Sequence, residues 1–96
     1  MIYIATDIHG RGIQHVTAFD DRLDLWAYAA EVLACHNVNP CRSDSIEQLC
    51  EKLYDNGIGS GARDHSRVSR REARQLIRNG AKSSGCWNLD LCLVRD

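Results

Sequence analysis

A nearly continuous apolar run and two alternating segments near the ends of the chain predict β-strands. Residues 1–6, MIYIAT, are almost continuously apolar and predict a buried strand. Residues 13–19, IQHVTAF, alternate, and the turn-forming DIHGRG before them makes the two segments a candidate hairpin. Residues 86–94, CWNLDLCLV, alternate again and predict a half-buried strand that pairs with the first.

The first helical segment, from about Asp21 to Cys35, is apolar over most of its circumference. In its body, residues 23–35, the charged residues are Asp24 and Glu31; they are seven positions apart, and Tyr28 and Cys35 continue their stripe. A helix of this kind must be covered on more than one side. We therefore expect either the rest of the chain or a second subunit to cover it.

Two further helices are predicted by the helical spacing of apolar residues and by capping signals. The second runs from about Asp44 to Asn56, with Asp44 and Glu47 at capping-box spacing and Gly57 as its stop. Its expected core face consists of Ile46, Leu49, Cys50 and Leu53. The third helix begins at the capping box Ser69-Arg70-Arg71-Glu72 and ends before Gly80.

Together these elements predict a small single α+β domain over residues 1–96. The domain contains two N-terminal strands, three helices and a C-terminal strand that completes a small sheet. A flexible loop spans about residues 57–68. Hydrophobic residues make up 44% and charged residues 26% of the chain, as is ordinary for a globular protein. Because no apolar run is long enough for a membrane span or a signal peptide, we expect a cytoplasmic protein.

The five cysteines form no C-x-x-C pair, and their odd number argues against a disulfide framework. We expect reduced thiols and no cofactor. A zinc site is the alternative, and its ligands would be Cys35, Cys41, Cys86 and Cys92.

The opening strand runs into Asp7-Ile8-His9-Gly10, which resembles the first metal-binding turn of calcineurin-like metallophosphoesterases. The resemblance implies that Asp7 and His9 are metal ligands. The further ligand turns of that family are missing from the sequence, and two ligands cannot hold a catalytic pair of metal ions. The sequence therefore favours a polar turn here, with a phosphoesterase-like remnant as the third interpretation of the chain.

The net charge of −1 conceals an uneven distribution. Residues 1–62 contain four basic and nine acidic residues, whereas residues 63–96 contain eight basic and four acidic residues. Much of the basic charge lies in and around the third helix, at Arg67, Arg70, Arg71, Arg74, Arg78 and Lys82. Ala73, Leu76 and Ile77 would face the core and leave one exposed stripe, made up of Arg71, Arg74, Gln75 and Arg78.

SRREARQLIRNGA is similar to the helix of the alpha-L RNA-binding motif, and the resemblance implies arginine contacts with RNA phosphates. We therefore predict a non-enzymatic binding module whose basic helix, with Arg67 and Lys82 at its ends, engages nucleic acid or an acidic surface of a nucleoprotein complex. The alternative is a small inhibitor or adaptor of the phage or mobile-element type, for example of a CRISPR or other host-defence complex. It would act by protein–protein contact or as a homodimer through the first helix.

Overall fold

A computed structural model describes residues 2–9, 13–59, 69–79 and 89–94. The predicted α+β class, with two N-terminal strands, three helices and a final strand, is confirmed. The elements in chain order are β1 (Tyr3–His9), β2 (Ile13–Phe19), α1 (Arg22–Ala34), α2 (Ile46–Asp55), α3 (Arg70–Asn79) and β3 (Leu89–Leu93).

The three strands form an antiparallel sheet in the order β2-β1-β3. The predicted pairing of the first two strands, and of the last strand with the first, is therefore confirmed. The predicted turn at Asp7-Ile8-His9 is wrong, because β1 continues through these residues. Asp7 lies opposite His15, and His9 lies opposite Ile13, so the ladder with β2 pairs backbone groups that a turn would leave to solvent.

Helices cover both faces of the sheet. On one face, Ala5, Phe19 and Leu91 pack with α1 and α2 in a single hydrophobic cluster. On the other face, Ile4 and Ala18 pack with α3 in a second cluster. The alternation of side chains along each strand assigns neighbouring residues to opposite faces, so the fold has three layers with the sheet in the middle.

Helix α1 is covered mainly by its own chain. Asp21 caps it by accepting a 2.7 Å hydrogen bond from the Leu23 N–H. Tyr28, which the sequence placed on the polar stripe, is 8% exposed, and its ring packs 5.4 Å from that of Phe19. Because the sheet and α2 cover this side of α1, Leu23 is its one large hydrophobic residue that is strongly exposed.

The cap of helix α2 lies one residue later than predicted. This cap is Ser45, whose hydroxyl accepts from the Gln48 N–H at 3.2 Å while the Gln48 side chain accepts from the Ser45 N–H at 2.7 Å. The predicted box of Asp44 and Glu47 is wrong, because Asp44 turns inward and binds Lys52. The predicted core face of α2 is confirmed, with Leu49 and Leu53 buried and Ile46 and Cys50 partly buried against them.

Residues 57–59, at the start of the predicted loop, close α2. Gly57 has φ +71° and donates to the Tyr54 carbonyl, while Ile58 donates to the Leu53 carbonyl. This pair of bonds is the Schellman motif, and its apolar residue Ile58 is 1% exposed. The predicted loop residues 60–68 lie outside the described residues.

None of the helices in the described part of the chain is long and apolar enough to cross a bilayer.

Candidate nucleic-acid interface

Helix α3 lies alone against its face of the sheet among the described elements. Its first turn is capped by Ser69, whose hydroxyl accepts a 3.2 Å hydrogen bond from the Glu72 N–H; this is one of the two bonds of the predicted capping box. Ala73 is fully buried, and Leu76 and Ile77 are partly buried in the cluster below the helix. Local periodicity therefore sets which side of α3 faces outward.

The outward side of α3 carries the predicted arginine stripe. All four arginines of the helix are exposed, as are the two amide residues beside them. Together these side chains line an open depression of about 660 Å³, made up of Arg70, Arg71, Arg74, Gln75, Arg78 and Asn79. Arg67 and Lys82, which the sequence added to the set, lie outside the described residues.

Three of the four arginines in the depression are poorly compensated by the described part of the chain. No carboxylate among the described residues forms an ion pair with Arg71, Arg74 or Arg78. Arg70 and Arg71 also stand at the helix N-terminus, where the helix dipole is already positive. An anion on this surface would therefore meet several guanidinium groups and would reduce their mutual repulsion.

The uneven charge along the chain becomes a difference between the two faces of the sheet. Residues 20–59, which contain α1 and α2, hold three basic and eight acidic residues, and seven of those acids are exposed. Helix α3 holds four arginines and one glutamate. The layer charges are therefore −5 and +3 on opposite sides of the sheet.

A second polar cluster joins α1, α2 and the segment between them. Asp44 is buried and accepts hydrogen bonds from the Lys52 ammonium and from the Cys41 N–H. Arg22 of α1 donates to the Asp44 carbonyl at 3.0 Å, and Trp26 donates to the Cys41 carbonyl at 2.9 Å. These bonds hold the connection against both helices.

Two pKa values shift in this cluster. The hydrogen bond from Lys52, together with that from the Cys41 N–H, holds the pKa of the Asp44 carboxyl below its usual range, although burial opposes the shift. The Ser43 hydroxyl, 3.1 Å from the Cys41 Sγ, and the Ser43 backbone lower the pKa of the exposed Cys41 thiol. Of the residues in this cluster, the sequence singled out only Cys41 for a site, as a candidate zinc ligand.

The structure describes the backbone of the candidate metal ligands Asp7 and His9 but not their side chains. Both residues lie on β1. Within the described ranges, no group of three or more histidine, cysteine or acidic residues is arranged to hold a metal ion. A dinuclear phosphoesterase site therefore has no support from the residues that are described.

The four candidate zinc ligands do not converge on one described site. Cys35 and Cys41 are exposed on the side of the sheet that carries α1 and α2. Cys92 is partly buried in the cluster on the α3 side, and Cys86 lies outside the described residues. The sheet therefore separates Cys92 from the other two described cysteines.

The sequence predicts Gln75 on the exposed stripe, but the predicted binding residues include neither Gln75 nor Asn79. Gln75 and Asn79 follow Arg71 at four-residue intervals, so one row of the helix surface brings the three together. That spacing was the signal that could have found them. The sequence spacing gives little indication of the cluster around Asp44, because Arg22 and Trp26 belong to a separate helix and reach it only in the folded chain.

Comparison of the chain with protein-family models, with curated proteins and with solved structures finds no significant match.

Proposed function

We propose that this chain is a non-enzymatic binding module that engages nucleic-acid phosphates through the outward side of α3. The observation that carries the proposal is the open depression lined by four arginines and two amides. Guanidinium groups form strong charge-assisted hydrogen bonds with phosphate oxygens, and neutral amides add further donors.

The low net charge of the chain does not oppose this proposal. The excess of acids lies in the α1 and α2 layer, behind the sheet from α3. Four phosphate contacts would weaken binding by roughly 10²-fold between 50 and 200 mM salt, through counterion release. Salt dependence is therefore the property to measure.

The test compares two single arginine substitutions on opposite sides of the sheet. Arg74→Gln removes one charge from the depression, and Arg42→Gln removes one from the exposed connection near Trp26. Glutamine keeps a good helix former at position 74, so the fold is retained. Fluorescence anisotropy with short DNA and RNA probes gives the affinity and its salt slope.

We expect Arg74→Gln to weaken binding and to lower the salt slope by about 0.9, the value for one phosphate contact on a duplex. Arg42→Gln should leave both quantities unchanged. Equal losses in the two variants would mean that the attraction is not localised on α3. If no probe binds at low salt, the nucleic-acid proposal is wrong and an acidic protein surface takes its place as the partner of α3.

The inhibitor or adaptor function remains the second proposal, and exposed hydrophobic residues support it. Leu23 on α1 is 45% exposed and Tyr54 on α2 is 60% exposed. Sedimentation of the wild type and of Leu23→Ser tests whether two copies of the chain associate through α1. A dimer that is lost in the variant would support it, and a wild-type monomer at all concentrations would contradict it.

A further inference from the structure

We infer that the nucleic acid engaged by α3 is double-stranded DNA, read from the major groove; this inference rests on the proposed function. Its basis is the distribution of side chains around the helix. Three residues point most directly away from the buried Ala73, namely Arg71, Gln75 and Arg78. Arg74 lies on one flank of that row, and Glu72 lies on the other.

The exposed surface of α3 matches a groove in its dimensions. The helix is 10 residues long, and most of its circumference is exposed, because Ala73 is its one fully covered side chain. An α-helix with its side chains is about 10–12 Å across, and the major groove of B-DNA is about 12 Å wide. The major groove of duplex RNA is too deep and narrow for side chains to read.

The chemistry of the outermost row favours a duplex over a single strand. Proteins that bind single strands stack the bases on aromatic rings, and α3 contains none. Arginine pairs with the O6 and N7 atoms of guanine, and glutamine pairs with the N6 and N7 atoms of adenine. Arg71, Gln75 and Arg78 are therefore base-reading residues, and Arg74 is placed to contact a phosphate of one strand.

The acidic flank makes the contact asymmetric. Glu72 is exposed and would repel the phosphates of the second strand, whereas Arg74 attracts those of the first. The helix should therefore lie closer to one strand of the duplex, and a single copy of the chain should contact mainly one backbone.

The first experiment measures anisotropy at about 100 mM salt, near a Debye length of 10 Å, with three 20-nucleotide probes of one sequence. The probes are duplex DNA, duplex RNA and single-stranded DNA. We expect duplex DNA to bind at least ten times more tightly than the other two. Equal or tighter binding of RNA or of the single strand would overturn this inference and leave phosphate binding intact, whereas failure of all three probes would overturn both.

The second experiment selects preferred sites from a pool of duplex DNA with a randomised centre. The wild type should enrich a short motif, and Gln75→Ala should change the preference at one base pair without changing the salt slope. Arg74→Gln should keep the motif and lower the slope by about 0.9. No enriched motif in the wild type, or the same motif from Gln75→Ala, would overturn base reading. Circular dichroism confirms the fold of each variant.

Discussion

Asp44 connects three parts of the fold through its carboxylate and its backbone carbonyl. It is buried at 6% exposure, beside the partly exposed ammonium of Lys52, and it accepts from the Cys41 N–H at 2.9 Å. Its own backbone carbonyl receives the Arg22 guanidinium from α1. A buried carboxylate with two donors is stabilising in its charged form, because the donors replace the water that burial removes.

The pKa shift of Asp44 predicts how stability depends on pH. Because its folded pKa lies below the unfolded value of about 3.9, its contribution is complete above that pH and is lost as the pH falls through the folded pKa. Asp44→Asn should lower the urea midpoint at pH 7, since Lys52 loses its partner. The difference from wild type should shrink on acidification, and a difference that is constant from pH 7 to pH 2 would contradict this account.

Capping motifs determine where α1 and α2 end. Both α1 and α2 end in a left-handed residue, Asn37 with φ +61° and Gly57 with φ +71°. In each case the following apolar residue, Val38 or Ile58, donates to a carbonyl of the last turn and joins the same core cluster. The two motifs therefore stop the helices and anchor the outgoing chain.

The capping box of α2 can be tested without disturbing the core. Ser45→Ala removes the acceptor of the Gln48 N–H and should cost about 1 kcal/mol. For a domain of this size that loss corresponds to roughly 4–8 °C in Tm. Ser45→Asp retains a capping oxygen and serves as the matched control. If thermal unfolding shows the same loss in both variants, the capping bond is not the stabilising feature.

The left-handed conformation of Gly57 predicts a purely conformational effect. A Cβ at this position would meet no atom within 4 Å, so Gly57→Ala introduces no clash. It should nevertheless cost about 1–2 kcal/mol in the free energy of unfolding, because alanine disfavours positive φ. Gly57→Asn should cost less, as Asn37 already adopts this conformation at the end of α1. Chemical denaturation that ranks asparagine below alanine would refute the explanation.

At the scale of the whole molecule, the three layers separate the charges. The layer of α1 and α2 is acidic, α3 is basic, and the sheet lies between them. Packed layers lie about 10 Å apart, which places the two charged surfaces roughly 20 Å from each other. At 0.15 M ionic strength the Debye length is about 8 Å, so a ligand on α3 senses mainly the arginines.

This separation predicts a salt-dependent effect of acids that touch no ligand. Neutralising three exposed acids of the far layer, with Glu31→Gln, Glu47→Gln and Asp55→Asn, should tighten nucleic-acid binding at about 10 mM salt, where the Debye length is near 30 Å. At about 150 mM the affinities of variant and wild type should agree, because screening removes the repulsion. Anisotropy at the two salt concentrations measures the effect, and a gain that persists at high salt would contradict the layered arrangement of charge.

Sequence periodicity by itself determined the elements of this protein and the inner and outer sides of α2 and α3. These properties depend on neighbours within one or two turns, so Ser69, Ala73 and the arginines of α3 could be assigned from local spacing. The same locality explains the error at α2, where local spacing predicted a cap at Asp44. In the folded chain Asp44 pairs with Lys52, and Ser45 caps the helix.

Only the tertiary structure decided which face of the sheet each helix covers. That choice depends on packing between residues far apart in the sequence, such as the Phe19–Tyr28 ring contact on one face and the cluster that contains Ile4 and Ala73 on the other. The tertiary structure also decided that Asp7-Ile8-His9 extends a strand, since the partner strand β2 provides the backbone hydrogen bonds. The uneven charge along the chain thus became an acidic layer and a basic layer, because α3 packs across the sheet from α1 and α2.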